Sequence, residues 1–262
     1  MYESTIFDLS GKKALVTGGA GGIGRACAIG MAEAGADVAI VDLKQEMGQE
    51  TAEVFRKMGR KSLFVPCDVS DVSQVDAMVE TVIESFGRLD IAFNNAGIID
   101  PRPGSSTEAS ALLSWEKTLA VNLHGVFYCC RAEAKYMIPQ KYGKIINTAS
   151  MSASIVNQLP VLDSGLVPYC VSKAGVKHLT KCLAAEWAQH NITVNSVSPG
   201  YADTPFTEKT PPEMVELRIR ATPMRRQAQP EEIVGAVLFL ASDASSFTTG
   251  SDLIVDGGYT IW

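Results

Sequence analysis

Short runs of aliphatic and β-branched residues alternate along this chain with longer stretches whose apolar positions recur every three to four residues. The first kind predicts strands at residues 13–17 (KALVT), 37–42 (DVAIVD), 62–68 (SLFVPCD), 90–97 (DIAFNNAG), 144–150 (KIINTAS), 192–198 (ITVNSVS) and 252–258 (DLIVDGG). The second predicts helices, for example over 23–36, 71–87 and 169–189. In the middle one Asp71 is placed as an N-cap and Gly87 as the terminating glycine. Strands that are apolar almost throughout must be buried on both faces, as in a parallel sheet covered by helices. Strand–helix repetition therefore predicts an α/β fold: a doubly wound (Rossmann), mostly parallel seven-stranded sheet with helices on both faces.

No Pro/Ser/Gly-rich linker, low-complexity tract or solenoid-period repeat divides the chain, so residues 1–262 are expected to form a single domain. Residues 151–168 and 201–230 break the rhythm, being too rich in proline and polar residues for core. In a doubly wound sheet, long loops after strand C-termini lie where ligands bind, which makes these two the candidate substrate loops.

Composition narrows the function. A net charge of -6 offers no basic stripe, which argues against nucleic acid and anionic membrane as partners. No apolar run approaches the roughly 18 residues of a membrane span, and the N-terminal stretch MYESTIFDLS lacks the layout of a signal peptide. A cytoplasmic location is expected. Six cysteines without a CxxC pair and three scattered histidines predict buried free thiols and no metal site.

The stretch VTGGAGGIGRA at 16–26 follows the first strand and opens a helix. Gly18, Gly22 and Gly24 allow a tight turn, close approach of backbone to a pyrophosphate, and close helix–strand packing. The helix N-terminus adds N–H groups and partial positive charge. Asp42 closes the second strand about 20 residues on, where a carboxylate accepts from adenosine ribose hydroxyls and repels a 2′-phosphate. NAD is thereby expected over NADP, although Lys44 stands close by.

Tyr169 and Lys173, in VPYCVSK, are four residues apart and share one helix face. Together with TGGAGGIG at 17–24 and NNAG at 94–97, they closely resemble the short-chain dehydrogenase/reductase family, over about residues 12–258. The resemblance implies a catalytic tetrad of Asn122 (proton relay), Ser150 (substrate oxygen), Tyr169 (acid/base) and Lys173. It implies cofactor contacts at Gly18, Gly22, Ile23, Gly24, Asp68, Val69, Asn95, Tyr169 and Lys173, and at the Ala202 backbone and Thr204 hydroxyl. Ser152 and Ser154 compete with Ser150, which only its place at the end of a strand selects. Trp115, Phe127 and Tyr128 read as helix-face core.

The chemistry agrees with that assignment. A free phenol with a pKa near 10 is about one part in a thousand ionised at pH 7. Lowering it by two to three units needs roughly 3–4 kcal/mol, and a Lys173 ammonium and an oxidised nicotinamide both act in that direction.

The MSASIVNQ segment at 151–158 and the tail DGGYTIW at 256–262 resemble those of mannitol/sorbose-type polyol and ketose reductases. Ser152, Asn157 and Gln158 are the substrate candidates. The expected activity is NAD(H)-dependent interconversion of a secondary alcohol and a ketone, with a sugar alcohol or ketose as the small-molecule substrate. The alternatives are a 3-oxoacyl-carrier-protein-type, steroid or other ketone reductase, and, in another class, a non-catalytic dinucleotide sensor. The resemblance also implies a homotetramer.

Overall fold

The computed structural model describes residues 6–100, 111–157, 166–205, 207 and 210–261. Seven strands lie in the order β3-β2-β1-β4-β5-β6-β7: β1 (Lys13–Thr17), β2 (Asp37–Asp42), β3 (Ser62–Pro66), β4 (Ile91–Asn94), β5 (Gly143–Thr148), β6 (Ile192–Pro199) and β7 (Asp252–Val255). Every pairing is parallel. The order reverses between β1 and β4, which opens a crevice beyond their C-termini.

The two-residue period of each strand builds two cores. Leu15, Ala39, Ala92 and Ile145 point to one face, with residues of α3 (Val72–Phe86), α5 (Gly125–Gln140) and α6 (Leu166–Trp187). Their neighbours Val16, Ile40, Phe93 and Ile146 point to the other, with residues of α1 (Gly22–Glu33) and α8 (Val234–Ala241). Three further α-helices lie among the described residues: α2 (Gln45–Lys57), α4 (Ala111–Leu119) and α7 (Pro212–Ala221).

Local rules explain the boundaries. The Asp71 carboxylate accepts from Ser73 N at 2.9 Å and Gln74 N at 3.3 Å, and α3 ends at Gly87 with φ +79°, as the sequence predicts. The strand expected over 90–97 stops at Asn94. Beyond it Asn95 N and Ala96 N leave the ladder and donate to the Thr17 hydroxyl at 3.0 and 3.1 Å. Trp115 and Phe127 are exposed, with Leu112 and Leu113 nearby, so the expectation of core at these positions fails. Of the six free cysteines four are buried, whereas Cys182 is exposed and Cys170 half-buried.

One polar cluster lies inside the first core. Asn94 Nδ2 is 3.1 Å from both Asn147 Oδ1 and Glu133 Oε2, and Asn147 Nδ2 donates to Thr180 Oγ1 at 3.1 Å. Glu133 is fully buried, and its Oε1 has no hydrogen-bond partner. Burial pushes its carboxyl up to about 8, against the opposing hydrogen bond from Asn94. The folded chain thus holds this proton more tightly than the unfolded chain does, so stability falls as pH rises from about 4.5 to about 8. The penalty is on the order of 4 kcal/mol at the upper end. Glu133→Gln removes the ionisation. Calorimetry at pH 8 is expected to show Tm raised by roughly 5–10 °C over the parent, with a small difference at pH 4.5.

Candidate active site

The turn between β1 and α1 is closed by steric fit. Gly18 and Gly22 have φ +64° and +53°, in the left-handed region. A methyl on Gly18 would lie 2.9 Å from Ala96 Cα, and one on Gly24 would lie 2.1 Å from Gly18 O. Asn95 braces the turn, its Nδ2 donating to Thr17 O at 3.2 Å and Gly18 O at 3.3 Å. Helix α1 starts at the turn with no side-chain cap and no acid in its first turn, so its N-terminal N–H groups are available to an anion. Ile23 is half-buried and packs on the second core, fixing the start of α1.

Asp42, at the end of β2, reaches this turn. Its carboxylate accepts from Ala20 N at 3.1 Å and from Lys44 N at 3.0 Å. Beyond β3, Asp68 accepts from Ser70 N and Oγ at 2.9 and 2.7 Å, and Val69 packs against Gly125. From β6 the loop runs back over the turn, and a methyl on Gly22 would lie 3.5 Å from Thr204 Cβ. The Thr207 hydroxyl knits that loop, lying 2.9 Å from Ala202 O and accepting from Thr204 N at 3.1 Å.

A second group of polar residues meets at the ends of β4 and β5. Lys173 is buried, and its ammonium donates to Thr148 O at 2.7 Å. Ser150 caps the single turn Met151–Ala153, its Oγ accepting from Ser152 N at 3.1 Å, and it hydrogen-bonds the Tyr169 hydroxyl. Ser152 donates to Asn157 Oδ1 at 2.6 Å, and Ser154 accepts from Lys177 at 2.7 Å. Of the three serines, Ser150 is therefore the one turned to the phenol. Asn122 sits in a π-helical turn, Ala120–His124, between α4 and α5. Its Oδ1 accepts from Ile98 N and its Nδ2 donates to Ile98 O, both at 2.8 Å, and Nδ2 also reaches Ser172 Oγ at 3.2 Å.

The electrostatics differ from the expectation. Burial raises the Tyr169 phenol above its ordinary value, outweighing the Ser150 hydrogen bond that lowers it. The Lys173 ammonium lies 5.8 Å from the ring centroid and is bound to a carbonyl, so the chain alone does not depress the phenol. Burial in turn lowers Lys173 to about 8.

Comparison with known proteins gives the family. A family model described as enoyl-(acyl carrier protein) reductase matches residues 18–260. The sorbose reductase of Candida albicans is 40% identical over 97% of this chain and 89% of its own length. The galactitol 2-dehydrogenase of Rhizobium johnstonii is 40% identical over 98% of both chains. Among solved structures, a short-chain type dehydrogenase/reductase from Mycobacterium marinum superposes with a TM-score of 0.91, at 42% identity over 97% of this chain and 98% of its own. A gluconate 5-dehydrogenase from Burkholderia cenocepacia, in complex with NADP and tartrate, gives 0.90 at 36% identity over 98% of both chains. The chain belongs to the short-chain dehydrogenase/reductase family.

Of the positions expected from the family resemblance, the structure brings Ser150, Tyr169 and Lys173 together beside Asn122, and gathers the glycine turn, Asp42, Asn95 and Thr204 along the adjacent crevice. Ser152 and Asn157 are buried and bonded to each other, and Asn157 Nδ2 donates to Tyr201 Oη at 2.7 Å. Gln158 lies outside the described residues. Sequence reasoning missed Thr17, Thr148 and Tyr201. Each acts through a tertiary contact with no spacing rule, although Tyr201 does fall within a candidate substrate loop. Among the described residues, no three His, Cys, Asp or Glu side chains come together to hold a metal ion, and no helix is long and apolar enough to cross a membrane.

The steric fit at Gly24 yields a test. Gly24→Ala drives a methyl into Gly18 O and Asn95 Nδ2, forcing α1 away from the turn. Titration calorimetry with NADH is expected to show binding weakened roughly 10–100-fold, with the circular dichroism of the fold retained.

Proposed function

We propose that this family member is a polyol dehydrogenase, interconverting a secondary alcohol of a sugar alcohol with the corresponding ketose and preferring NAD. The observation that carries the proposal is the Tyr169 hydroxyl hydrogen-bonded to Ser150, with the Lys173 ammonium anchored alongside on Thr148 O. Gly18, Gly22, Gly24, Asp42, Asp68, Val69, Asn95, Ala202 and Thr204 would hold the dinucleotide. The fit rests on the glycine cradle, which added methyls would fill, and on the uncapped N-terminus of α1. When bound, the nicotinamide supplies the hydride acceptor or donor.

In the oxidation direction, Tyr169 as phenolate removes the hydroxyl proton of the alcohol. Ser150 Oγ, already accepting from Ser152 N, directs its own proton toward the substrate oxygen or the phenol. Lys173, its ammonium 5.8 Å from the centroid of the phenol ring, must stay charged to support the phenolate. Asn122 spends its side chain on Ile98 and Ser172, so it acts by holding the π turn open, and a proton relay would run through that turn's backbone. The amide and hydroxyls of Asn157, Ser152 and Tyr201 make a polar wall beside Ser150, which suits a hydroxylated substrate better than an acyl chain. Basic docking groups for an acyl carrier are also scarce: Lys177 is paired with Asp252, and Arg226 with Glu232.

Asp42 carries the NAD preference. Two backbone N–H groups hold its carboxylate in place, where a 2′-phosphate would meet like charge. For assembly, we infer that the exposed Leu112, Leu113, Trp115 and Phe127 of α4 and α5 lie in contacts between copies of the chain, in the homotetramer that the family resemblance implies.

Three measurements test the proposal. A spectrophotometric screen of polyols and ketoses against steroids and acyl thioesters is expected to find turnover with a polyol; turnover confined to the other two classes would refute the substrate assignment. Tyr169→Phe is expected to bind NADH normally while kcat falls about 1,000-fold. In the same assay Asp42→Ala should shift the NAD-to-NADP ratio of kcat/KM toward NADP by roughly tenfold or more, and an unchanged ratio would remove Asp42 from cofactor choice.

A further inference from the structure

Helix α6 carries one more cation on the face that holds Tyr169 and Lys173. Lys177 follows Lys173 by one helical turn, at the four-residue spacing that stacks side chains on one face. It is half-buried; its ammonium donates to Ser154 Oγ at 2.7 Å and lies 3.0 Å from Asp252 Oδ2, on β7. That oxygen is buried without a hydrogen bond, so the tie to Asp252 is ionic and the directed bond of the ammonium goes to Ser154. The other carboxylate oxygen, Oδ1, accepts from the buried hydroxyls of Ser196 and Ser198 on β6, both at 2.7 Å. Two strands therefore fix the carboxylate, and the carboxylate fixes Lys177.

What Lys177 grips matters because of where Ser154 stands. Ser150 and Ser154 flank the single turn Met151–Ala153 as its N-cap and C-cap. Ala153 N donates to Ser150 O at 2.9 Å and Ser154 N to Met151 O at 3.0 Å. So short a turn has little stability of its own and takes its orientation from what holds its ends. One end leaves β5 beyond Thr148, its middle is tied by Ser152 Oγ to Asn157 Oδ1, and the far end is held by Lys177. The hydroxyl that this turn aims is Ser150 Oγ, which hydrogen-bonds Tyr169. A half-buried ion pair adds little net stability, and the value of this one is the direction it gives.

We propose that Lys177 is a positioning residue for alcohol oxidation: ion-paired to Asp252 and bonded to Ser154, it sets the turn that points Ser150 Oγ at the Tyr169 phenol and the substrate oxygen. The proposal rests on the dehydrogenase reading. Lys177 exchanges no proton and acts through Ser150.

Kinetics on the purified full-length protein test this, with NAD and whichever of sorbitol, mannitol and galactitol the wild type oxidises fastest. Lys177→Met is expected to lower kcat about tenfold, Ser154→Ala about threefold, and Lys177→Arg less than about twofold. The KM for NAD should stay within about twofold in all three. In a Ser150→Ala background the first two substitutions should cost less than about twofold more, because the hydroxyl that they misplace is gone. Equal factors in both backgrounds would overturn the proposal and leave Lys177 as a support of the fold. A second readout needs no turnover. The carbon-13 resonance of Tyr169 Cζ, assigned by its loss in Tyr169→Phe, reports the hydrogen bond with Ser150 and is displaced by Ser150→Ala. Ser154→Ala, which removes no charge, and Lys177→Met should displace it in the same direction, and an unmoved resonance would overturn the proposal. If the displacement occurs while the wild type oxidises no alcohol, Lys177 still positions Ser150 and the dehydrogenase reading is what falls.

Discussion

A parallel sheet covered on both faces leaves few places for a working polar side chain except where its strands end. In this chain every strand points the same way, so β1, β2, β4, β5 and β6 release their polar residues at one edge. One contact locks that edge to the helix layer: the Lys173 ammonium on the last carbonyl of β5, Thr148 O, at 2.7 Å. It fixes the rotation of α6, and with it the side on which Tyr169 appears, one helical turn earlier. Ser150, two residues beyond Thr148, then meets the phenol.

Polar residues drawn into the core under that edge carry a cost. Asn94 and Asn147 are buried neighbours on β4 and β5 and bond to each other, but Asn94 Oδ1 and Glu133 Oε1 remain without partners. The same strands continue into Asn95, which clamps the glycine turn, and Thr148, which holds Lys173. Stability is thus lower where the strands that serve the site are most polar, a pattern common where a fold must also position chemistry.

Much of this was legible in the sequence. Short runs that are apolar almost throughout marked the strands and the sheet class, because both faces of a covered parallel sheet must be apolar. Asp71 and Gly87 bounded α3 because capping is a local rule. The glycine turn and Asp42 could be placed because strand, turn and helix are contiguous. Tertiary contacts escaped it. Nothing in VPYCVSK reveals that Lys173 binds Thr148 O, nor that burial would outweigh the Ser150 hydrogen bond on Tyr169. Ser152 and Asn157 looked like free substrate groups and prove to be bonded to each other; Trp115 and Phe127 looked like core because helical period marks an apolar face without saying what covers it. Lys177 gave no sign of its ties to Ser154 and Asp252, which only the fold makes.

Alcohol oxidation as proposed requires the anchored Lys173 ammonium to oppose the burial that raises Tyr169, so that the phenolate forms and can take the alcohol's proton. The most direct measurement is the pH dependence of the first hydride transfer during alcohol oxidation, followed by stopped-flow at the nicotinamide absorbance in wild type and Lys173→Met. The account predicts a rate that rises with pH through a single ionisation, displaced upward by about one unit or more when the ammonium is removed. Superimposable pH profiles for the two proteins would contradict it.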